Sequence, residues 1–451
     1  MRTAHVHVAK LTPAQQQLAE DVGPWARACR DVWNAALQER LEALRVARGR
    51  TIPKGWWPTY ASQCRGLTDA KKVAPWLAEA PHHVLQQTLK DLDTAWGAWL
   101  YERRAGRPRF RARKRSARNW WAPSYRFPDR KQFTIRRLNR RWGDATLPKI
   151  GPVRFRWDRD LPDDAQVTNV TLKRDRVGDW TVAFALDIPD VEVAHPNPGT
   201  VVGVDRGVTV LAATSDGQLL DRNIIDPDGR LGPDLLTNGE RTRLSRLERR
   251  KARQKRGSKN QARTRRQIAT LKRRQARRRG DLAHKISARL AAGYETVAVE
   301  QLDVAAMMAS ARGTVDKPGT RVAQKRGLNR SIASKGWGML HGQLAYKTAR
   351  HGGRRPVAKA AYTSQTCHVC SHIDPVSREN QARWVCVACS HRCHADVNAA
   401  INVLARAVPA GQAPRKGPAA GHAVAACQAL QTSVGASKQE PAPRPRARQA
   451  A

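Results

Sequence analysis

Residues 367–404 read CHVCSHIDPVSRENQARWVCVACSHRCHADVNAAINVL, with two Cys-x-x-Cys pairs fifteen residues apart. No other stretch constrains the chain so tightly. The N-terminus, MRTAHVHVAKLTPAQQQ, lacks the apolar core of a signal peptide, and the chain is 451 residues long. Four thiols at this spacing in such a chain point to a metal knot and away from a disulfide framework. Cys367, Cys370, Cys386 and Cys389 are the expected ligands of a Zn²⁺ ion. Four protein ligands leave no open position, so the site is expected to be structural and without chemistry of its own. Ser371 and Ser390 stand where such knuckles often carry glycine after the second cysteine. Cys393 and the histidines His368, His372, His391 and His394 lie close enough to compete, though the evenly spaced cysteines are preferred. Asp396 follows the last ligand by seven residues and opens a helical run, so a clamp on the preceding loop would deliver one carboxylate to a fixed place. Cys29, Cys64 and Cys427 are isolated and read as ordinary thiols of a reducing, cytoplasmic protein.

The chain holds 82 Lys+Arg against 38 Asp+Glu, a formal charge of +44. Such a field attracts polyanions, and nucleic acid is the natural partner. No run of about 18 apolar residues is present, so no membrane span is expected. Much of the charge gathers in RTRLSRLERRKARQKRGSKNQARTRRQIATLKRRQARRR, residues 241–279, where nineteen Lys or Arg face one acid, Glu248. A thin apolar seam of Leu244, Leu247, Ile268 and Leu271 suggests two helices packed as a hairpin, with a turn around Gly257-Ser258. A solvated face is the bland alternative, but blocks that repel this strongly normally face a polyanion. Trp56, Trp57, Trp120, Trp121 and Tyr125 are interleaved with arginines and could stack on bases; packing in a core is the equal alternative.

Alternation in TAHVHVAK predicts a strand over 3–10, and apolar spacing of three and four predicts helices over 13–105. VTNVTLKRDRVGDWTVAFALDI reads as a hairpin turning near Gly178-Asp179. VVGVDRGVTVLAATSDGQLL reads as two strands joined at Ser215-Asp216-Gly217, and further strands are expected at 296–300 and 356–361, with a helix over 396–407. The expected fold is a multidomain α+β chain. Residues 1–12 and 106–195 form a β-barrel, with the helical domain 13–105 inserted in it. Residues 196–366 and 390–408 form an α/β domain carrying the basic hairpin 240–285 and a zinc ribbon inserted at 367–389. Residues 409–451, rich in Ala, Pro, Gly and Gln without periodicity, are expected to be disordered.

Asp205 ends the apolar strand VVGVD, Glu300 ends TVAVE, and Asp396 opens a helix. An acid on an apolar strand is costly to bury unless it is paired or metal-bound. Singly, each has a bland reading: a turn acid, a strand-end acid and a helix N-cap. Together, in so basic a chain, they read as carboxylates converging on Mg²⁺ or Mn²⁺ for phosphodiester chemistry. There, one ion activates water and a second, about 4 Å away, stabilises the leaving oxygen.

GVDRG, AVEQLD and YTSQTC…CxxC…HADVNAAINVL resemble the RuvC-like nuclease core of the TnpB proteins of bacterial transposons and of the compact type V CRISPR effectors that share it. LQQTLKDLDTAWGAWL followed by GRPRF, and LPKIGPVRFR, are similar to the recognition and wedge segments of that family, so the resemblance spans about residues 1–407. It implies an RNA-guided DNA endonuclease with an RNase H-like (RuvC) nuclease domain. Asp205, Glu300 and Asp396 would be the catalytic, magnesium-binding residues and the four cysteines the zinc ligands. It further implies guide RNA and target DNA as partners, with a short motif beside the target read as duplex. Tyr60, Gln86 and Gln87 are the candidate readers, with plain helix-surface polarity as the alternative. Arg249, Arg250, Arg253, Arg273, Arg274, Arg277 and Arg278 would lie along the guide or heteroduplex. A strand-joining transposase and a guided DNA-binding regulator that does not cut remain the other readings.

Overall fold

The structure, a computed structural model, describes residues 2–47, 56–112, 122–175, 177–189, 193–314, 316–380 and 382–408. The expected disordered tail, Cys427, Trp120 and Trp121 lie outside the described residues. Two compact units divide the chain, residues 1–191 with 255–262 and residues 192–254 with 263–451.

In the first unit, strand β1 (Arg2–Lys10) is followed, among the described residues, by four α-helices. These are α1 (Pro13–Ala19), α2 (Pro24–Ala47), α3 (Tyr60–Val73) and α4 (His82–Leu100). Trp25, Cys29, Val32, Trp33, Ala36 and Leu37 recur along one face of α2, and Leu85, Leu89, Leu92 and Trp96 along one face of α4. Six further strands follow: β2 (Ser124–Phe127), β3 (Thr134–Arg137), β4 (Trp142–Leu147), β5 (Gly151–Arg156), β6 (Gln166–Arg174) and β7 (Trp180–Asp187). With β1 they form an antiparallel sheet in the order β2-β6-β7-β1-β5-β4-β3. Among the described residues this ladder has two edges, β2 and β3, and no rung joins them as full closure would require. One apolar core holds helices and sheet together. Tyr125 belongs to that core: fully buried, it packs edge-on against Trp25 and donates its hydroxyl to Ala19 O at 2.7 Å, so it offers no face to a base.

The second unit carries the remaining strands β8 (Val201–Asp205), β9 (Ala212–Thr214), β10 (Leu219–Leu220), β11 (Thr296–Gln301), β12 (Val357–Lys359), β13 (Arg383–Val385) and β14 (Arg392–His394). Its helices are α5 (Asn238–Arg253), α6 (Lys259–Gly293), α7 (Val304–Met307), α8 (Val322–Lys335), α9 (Trp337–Arg350) and α10 (Ala395–Ala407). The main sheet runs β10-β9-β8-β11-β12, with β8, β11 and β12 parallel and β9 and β10 antiparallel. The stretch expected to form two strands is therefore three, because residues 206–211 leave β8 as a loop before β9 begins. Helices α8 and α9 were not expected; parallel β11 and β12 need a long crossover, and these helices fill it.

Alternation along the parallel strands sorts the two faces. Val202, Val204, Val297 and Val299 pack with Leu282, Ile286 and Leu290 of α6 and with Trp337, Leu340 and Leu344 of α9. Ala298 and Ala358 face the other way, onto Val403 of α10. Gly203 sets how close α10 comes: a Cβ there would meet Ala400 O at 2.1 Å. None of the described helices is long and apolar enough to cross a membrane.

Candidate active site and metal centres

The strand period that separates the two faces also aims the acids. Positions 203 and 298 face α10, so Asp205 and Glu300, two residues further along each strand, face it too. Register pairs Val204 with Val299, which makes Asp205 and Glu300 the next rung. Asp396 enters the same place from the first turn of α10, where the helix dipole favours a negative charge. His394 caps that helix, its Nδ1 accepting from Asp396 N at 3.3 Å. All three carboxylates are buried: Asp205 is 8 %, Glu300 5 % and Asp396 2 % exposed. Gly207 keeps the loop after β8 close, since a Cβ there would stand 3.3 Å from Asp396 Oδ2. That loop is held by Trp337 Nε1, which donates to Gly207 O at 3.2 Å, and by Lys335 Nζ, which donates to Thr209 O at 2.8 Å.

Burial, then the charges of Glu300 and Asp396, push the Asp205 carboxyl well above its ordinary range. Glu300 is raised as well, chiefly by burial and against the pull of Arg206. Arg206 donates Nη2 to Glu300 O at 2.5 Å, which fixes the end of β11. Asp205 and Glu300, buried on adjacent strands and both raised, are stabilised by a proton or a cation between them. An all-oxygen donor set of this kind suits a hard divalent ion such as Mg²⁺ or Mn²⁺.

Sequence reasoning missed one side chain here. Arg378 donates Nη2 to Asp396 Oδ1 at 2.6 Å and is itself 22 % exposed. It lies between the two cysteine pairs, so the cysteine knot reaches into the carboxylate site. Asn398 and Asn402 were missed as well: on α10 they donate to Thr366 O at 2.8 and 2.7 Å and so lock the helix to the turn leading into the knot. Their only sequence signal is two asparagines spaced to share one helix face.

The four cysteines converge, with Cys367 Sγ 3.8 Å from Cys389 Sγ and Cys370 Sγ 3.6 Å from Cys386 Sγ. Tetrahedral thiolates about 2.3 Å from zinc would stand about 3.8 Å apart, so the set fits that metal. Both knuckles turn alike: Ser371 N and Ser390 N donate to Cys367 O and Cys386 O, each at 2.9 Å. The serines standing for glycine adopt its left-handed conformation, φ +60° and +57°. Burial resists ionisation of Cys386, yet the backbone N–H groups of Cys389 and Ala388, with the neighbouring thiols, bring it down to about 6. Burial pushes Cys367 up to about 12.

The basic residues do not form one set. α5 and α6 form the hairpin, with Leu247, Ile268 and Leu271 at its seam and Gly257 at φ +83° in the turn. Arg249, Arg250 and Arg253 are exposed on α5. Arg274, itself exposed, and the half-buried Arg278 pair with Glu240 at 2.6 and 2.5 Å, and Arg278 also donates to Leu235 O. These two arginines hold the hairpin together. Arg273 is half-buried and Arg277 exposed. In the first unit Tyr60, Gln86 and Gln87 are all half-buried; Lys90 sits over the Tyr60 ring, and Gln87 accepts from Arg126 Nη1 at 3.3 Å. Trp56 and Trp57 stand exposed as an edge-to-face pair.

Two family models match this chain, one described as "Cas12f1-like, TNB domain" over residues 337–403 and one as "Probable transposase" over residues 184–311. A protein of Escherichia coli (strain K12) named "Putative RNA-guided DNA endonuclease InsQ" is 32 % identical over 432 residues, covering 96 % of each chain. A "Putative RNA-guided DNA endonuclease" of Streptomyces pristinaespiralis is 30 % identical over 402 residues, covering 88 % of each. Among solved structures, a Cas12f1 chain in complex with single-guide RNA and target DNA shares the fold at a TM-score of 0.51. Identity there is 15 %, with 84 % of this chain and 81 % of that one covered.

Proposed function

The chain belongs to the TnpB family of RNA-guided DNA endonucleases, and from that premise we propose that it binds a guide RNA, recognises target DNA beside a short motif, and cuts it at Asp205, Glu300 and Asp396. One observation supports the reading of the site: Asp205 and Glu300, buried at the ends of paired parallel strands, lie near enough to Asp396, buried in the first turn of α10, for both neighbours' charges to act on Asp205. In this reading the sheet with α10 is an RNase H-like nuclease domain spanning 196–366 and 390–408. The cysteine segment 367–389 is a zinc ribbon inserted in it. Residues 1–12 and 106–195, whose sheet is open among the described residues, act as the wedge, and 13–105 as the recognition helices, with Tyr60, Gln86 and Gln87 as readers of the flanking duplex.

Asp205 and Glu300 supply fixed oxygens from adjacent strands, and their raised pKa values mark a site that holds a proton when it holds no cation. Asp396 supplies the third carboxylate, oriented through its Oδ1 by Arg378. The remaining guanidinium donors of Arg378 would take a phosphate oxygen and steady charge as it develops. Mg²⁺ or Mn²⁺ bound among the carboxylates would supply a nucleophilic water and stabilise the leaving oxygen. Zn²⁺ on the four thiolates would hold Arg378 and the start of α10 in place.

Ribonucleoprotein purified with its own RNA and given a target duplex and Mg²⁺ separates the readings by product: cut ends, joined strands or bound uncut DNA. Cleavage is expected, and Asp205→Ala, Glu300→Ala or Asp396→Ala should each slow it about a thousandfold, the equivalent of about 4 kcal/mol, while guide and target binding persist. A variant that binds and cuts at the wild-type rate would remove its residue from the site.

A further inference from the structure

We propose that His368, His391 and Cys393 form a second, three-ligand site for a transition-metal ion of the Zn²⁺ class, separate from the four-cysteine site. All seven candidate ligands lie in one short segment, yet the structure sorts them into two groups that share no member. The four cysteines form one. His368, His391 and Cys393 form the other, with their donor atoms all within 4.8 Å of one another. His372 and His394, the other nearby histidines, are directed elsewhere: His394 caps α10, and His372 Nε2 lies 4.0 Å from Asp374.

The protonation of His368 is set by its surroundings. Asn398 Nδ2 donates to Thr366 O at 2.8 Å, which turns Asn398 Oδ1 towards His368. That oxygen accepts from His368 N at 3.1 Å and from His368 Nδ1 at 2.9 Å. Nδ1 must therefore carry a proton, and in the neutral ring Nε2 keeps its lone pair. A ring nitrogen oriented through its partner nitrogen in this way is the usual arrangement of a metal-binding histidine. His368 Nε2 is buried without a hydrogen-bond partner, and so is His391 Nε2. The two rings meet edge to face with centroids 4.7 Å apart. Cys393 is 5 % exposed. Leaving two imidazole nitrogens buried and unpaired is costly. A single cation satisfies both at once, with the Cys393 thiolate supplying charge.

The dimensions are close to those needed. Three donors at the 4.8 Å limit have a common point about 2.8 Å from each, against about 2.0–2.3 Å for Zn–N and Zn–S bonds. A movement of about 0.5–0.8 Å per side chain completes the site. Two nitrogens and one sulfur suit Zn²⁺ or Co²⁺ rather than Mg²⁺, and three protein ligands leave a fourth position for water.

The test uses the full chain, loaded with Zn²⁺ or Co²⁺ and dialysed against a weak chelator. Two ions per chain are expected by elemental analysis. The Co²⁺ form should show the strong sulfur-to-metal absorption of four thiolates and a weaker second component. His391→Gln with Cys393→Ser, and separately His368→Gln, should each reduce the count to one and remove only the weaker component. Far-UV circular dichroism and guide-RNA binding serve as folding controls. If folding of His368→Gln is disturbed through Asn398, the His391/Cys393 variant still decides the matter. One ion per chain in the wild type with a four-thiolate spectrum overturns the second site, as does a folded His391/Cys393 variant that keeps two. Absence of the four-thiolate spectrum together with retention of the weaker component would count against the four-cysteine reading and leave this one standing.

Discussion

Asp205 is held against ionisation inside the second unit, with the charge of Arg378 working the other way. Burial and the charges of Glu300 and Asp396 all favour its protonated form. A carboxyl raised in the folded state contributes stability that is full below its unfolded value, near 4, and is lost as pH rises through the folded value. At neutral pH the metal-free protein should therefore be under strain that a divalent ion relieves. Asp205→Asn keeps the shape and removes the charge. In EDTA it should be more stable than wild type by about 1–2 kcal/mol at pH 7, with the advantage shrinking towards pH 4, and it should lose the stabilisation by Mg²⁺ that wild type shows. Thermal melts across pH, with and without Mg²⁺, check this. Equal melting temperatures in EDTA would mean the three acids do not strain one another. Asp205 stands out in the sequence because it ends an apolar run, and Glu300 for the same reason. Arg378 could not: in so arginine-rich a chain one more arginine carries no signal, and only the folded cysteine knot brings it 2.6 Å from an acid eighteen positions away.

α10 reaches the sheet at one point where no side chain intervenes. Ala400 O lies where a Cβ on Gly203 would be, 2.1 Å from it, and the backbone at Leu404 is nearly as close. Gly203→Ala must push the helix off β8, and Asp396 travels with it. A loss of about 1–3 kcal/mol in stability is expected, with a fall in Mg²⁺-dependent cutting larger than the fall in target binding. Unaltered melting and cutting would show that α10 can be displaced without disturbing the site. Elements with a strong period were legible at this scale, among them β1, the β6–β7 hairpin, β8, β11 and α10. α8 and α9 were not, because VAQKRGLNRSIASK and WGMLHGQLAYKTAR bury only a few side chains each, among them Lys335 and Gln343, which no apolar pattern marks. The ladder edge at β2 depends on pairing with β6, some forty residues further along the chain, which alternation alone does not specify.

Over the whole molecule a charge of +44 sets a polyanion-attracting field, but the field does not say which arginines touch the polyanion. The hairpin offers a controlled comparison, because two pairs of arginines on it carry equal charge and differ in partner. Arg249 and Arg250 are exposed, as Arg274 is, but Arg274 and the half-buried Arg278 are bound to Glu240. Burial works against ionisation of Glu240, yet the hydrogen bonds from Arg278 and Arg274 and from Thr237 of the backbone hold it down at about 2. A carboxyl depressed in the folded state contributes stability present above its unfolded value, near 4.3, and lost as pH falls through the folded value. Arg274→Gln with Arg278→Gln should therefore destabilise the protein at pH 7, and the difference from wild type should narrow once pH drops below about 4.5. Arg249→Gln with Arg250→Gln should leave stability unchanged and instead weaken guide-RNA binding. Two lost phosphate contacts should flatten the plot of log affinity against log salt by about 1.4–1.8. Both double variants lower the net charge by two, so the long-range field changes equally in each, and any difference in slope reports contact alone. Equal slopes for the two variants would mean that the RNA senses the hairpin only as diffuse charge.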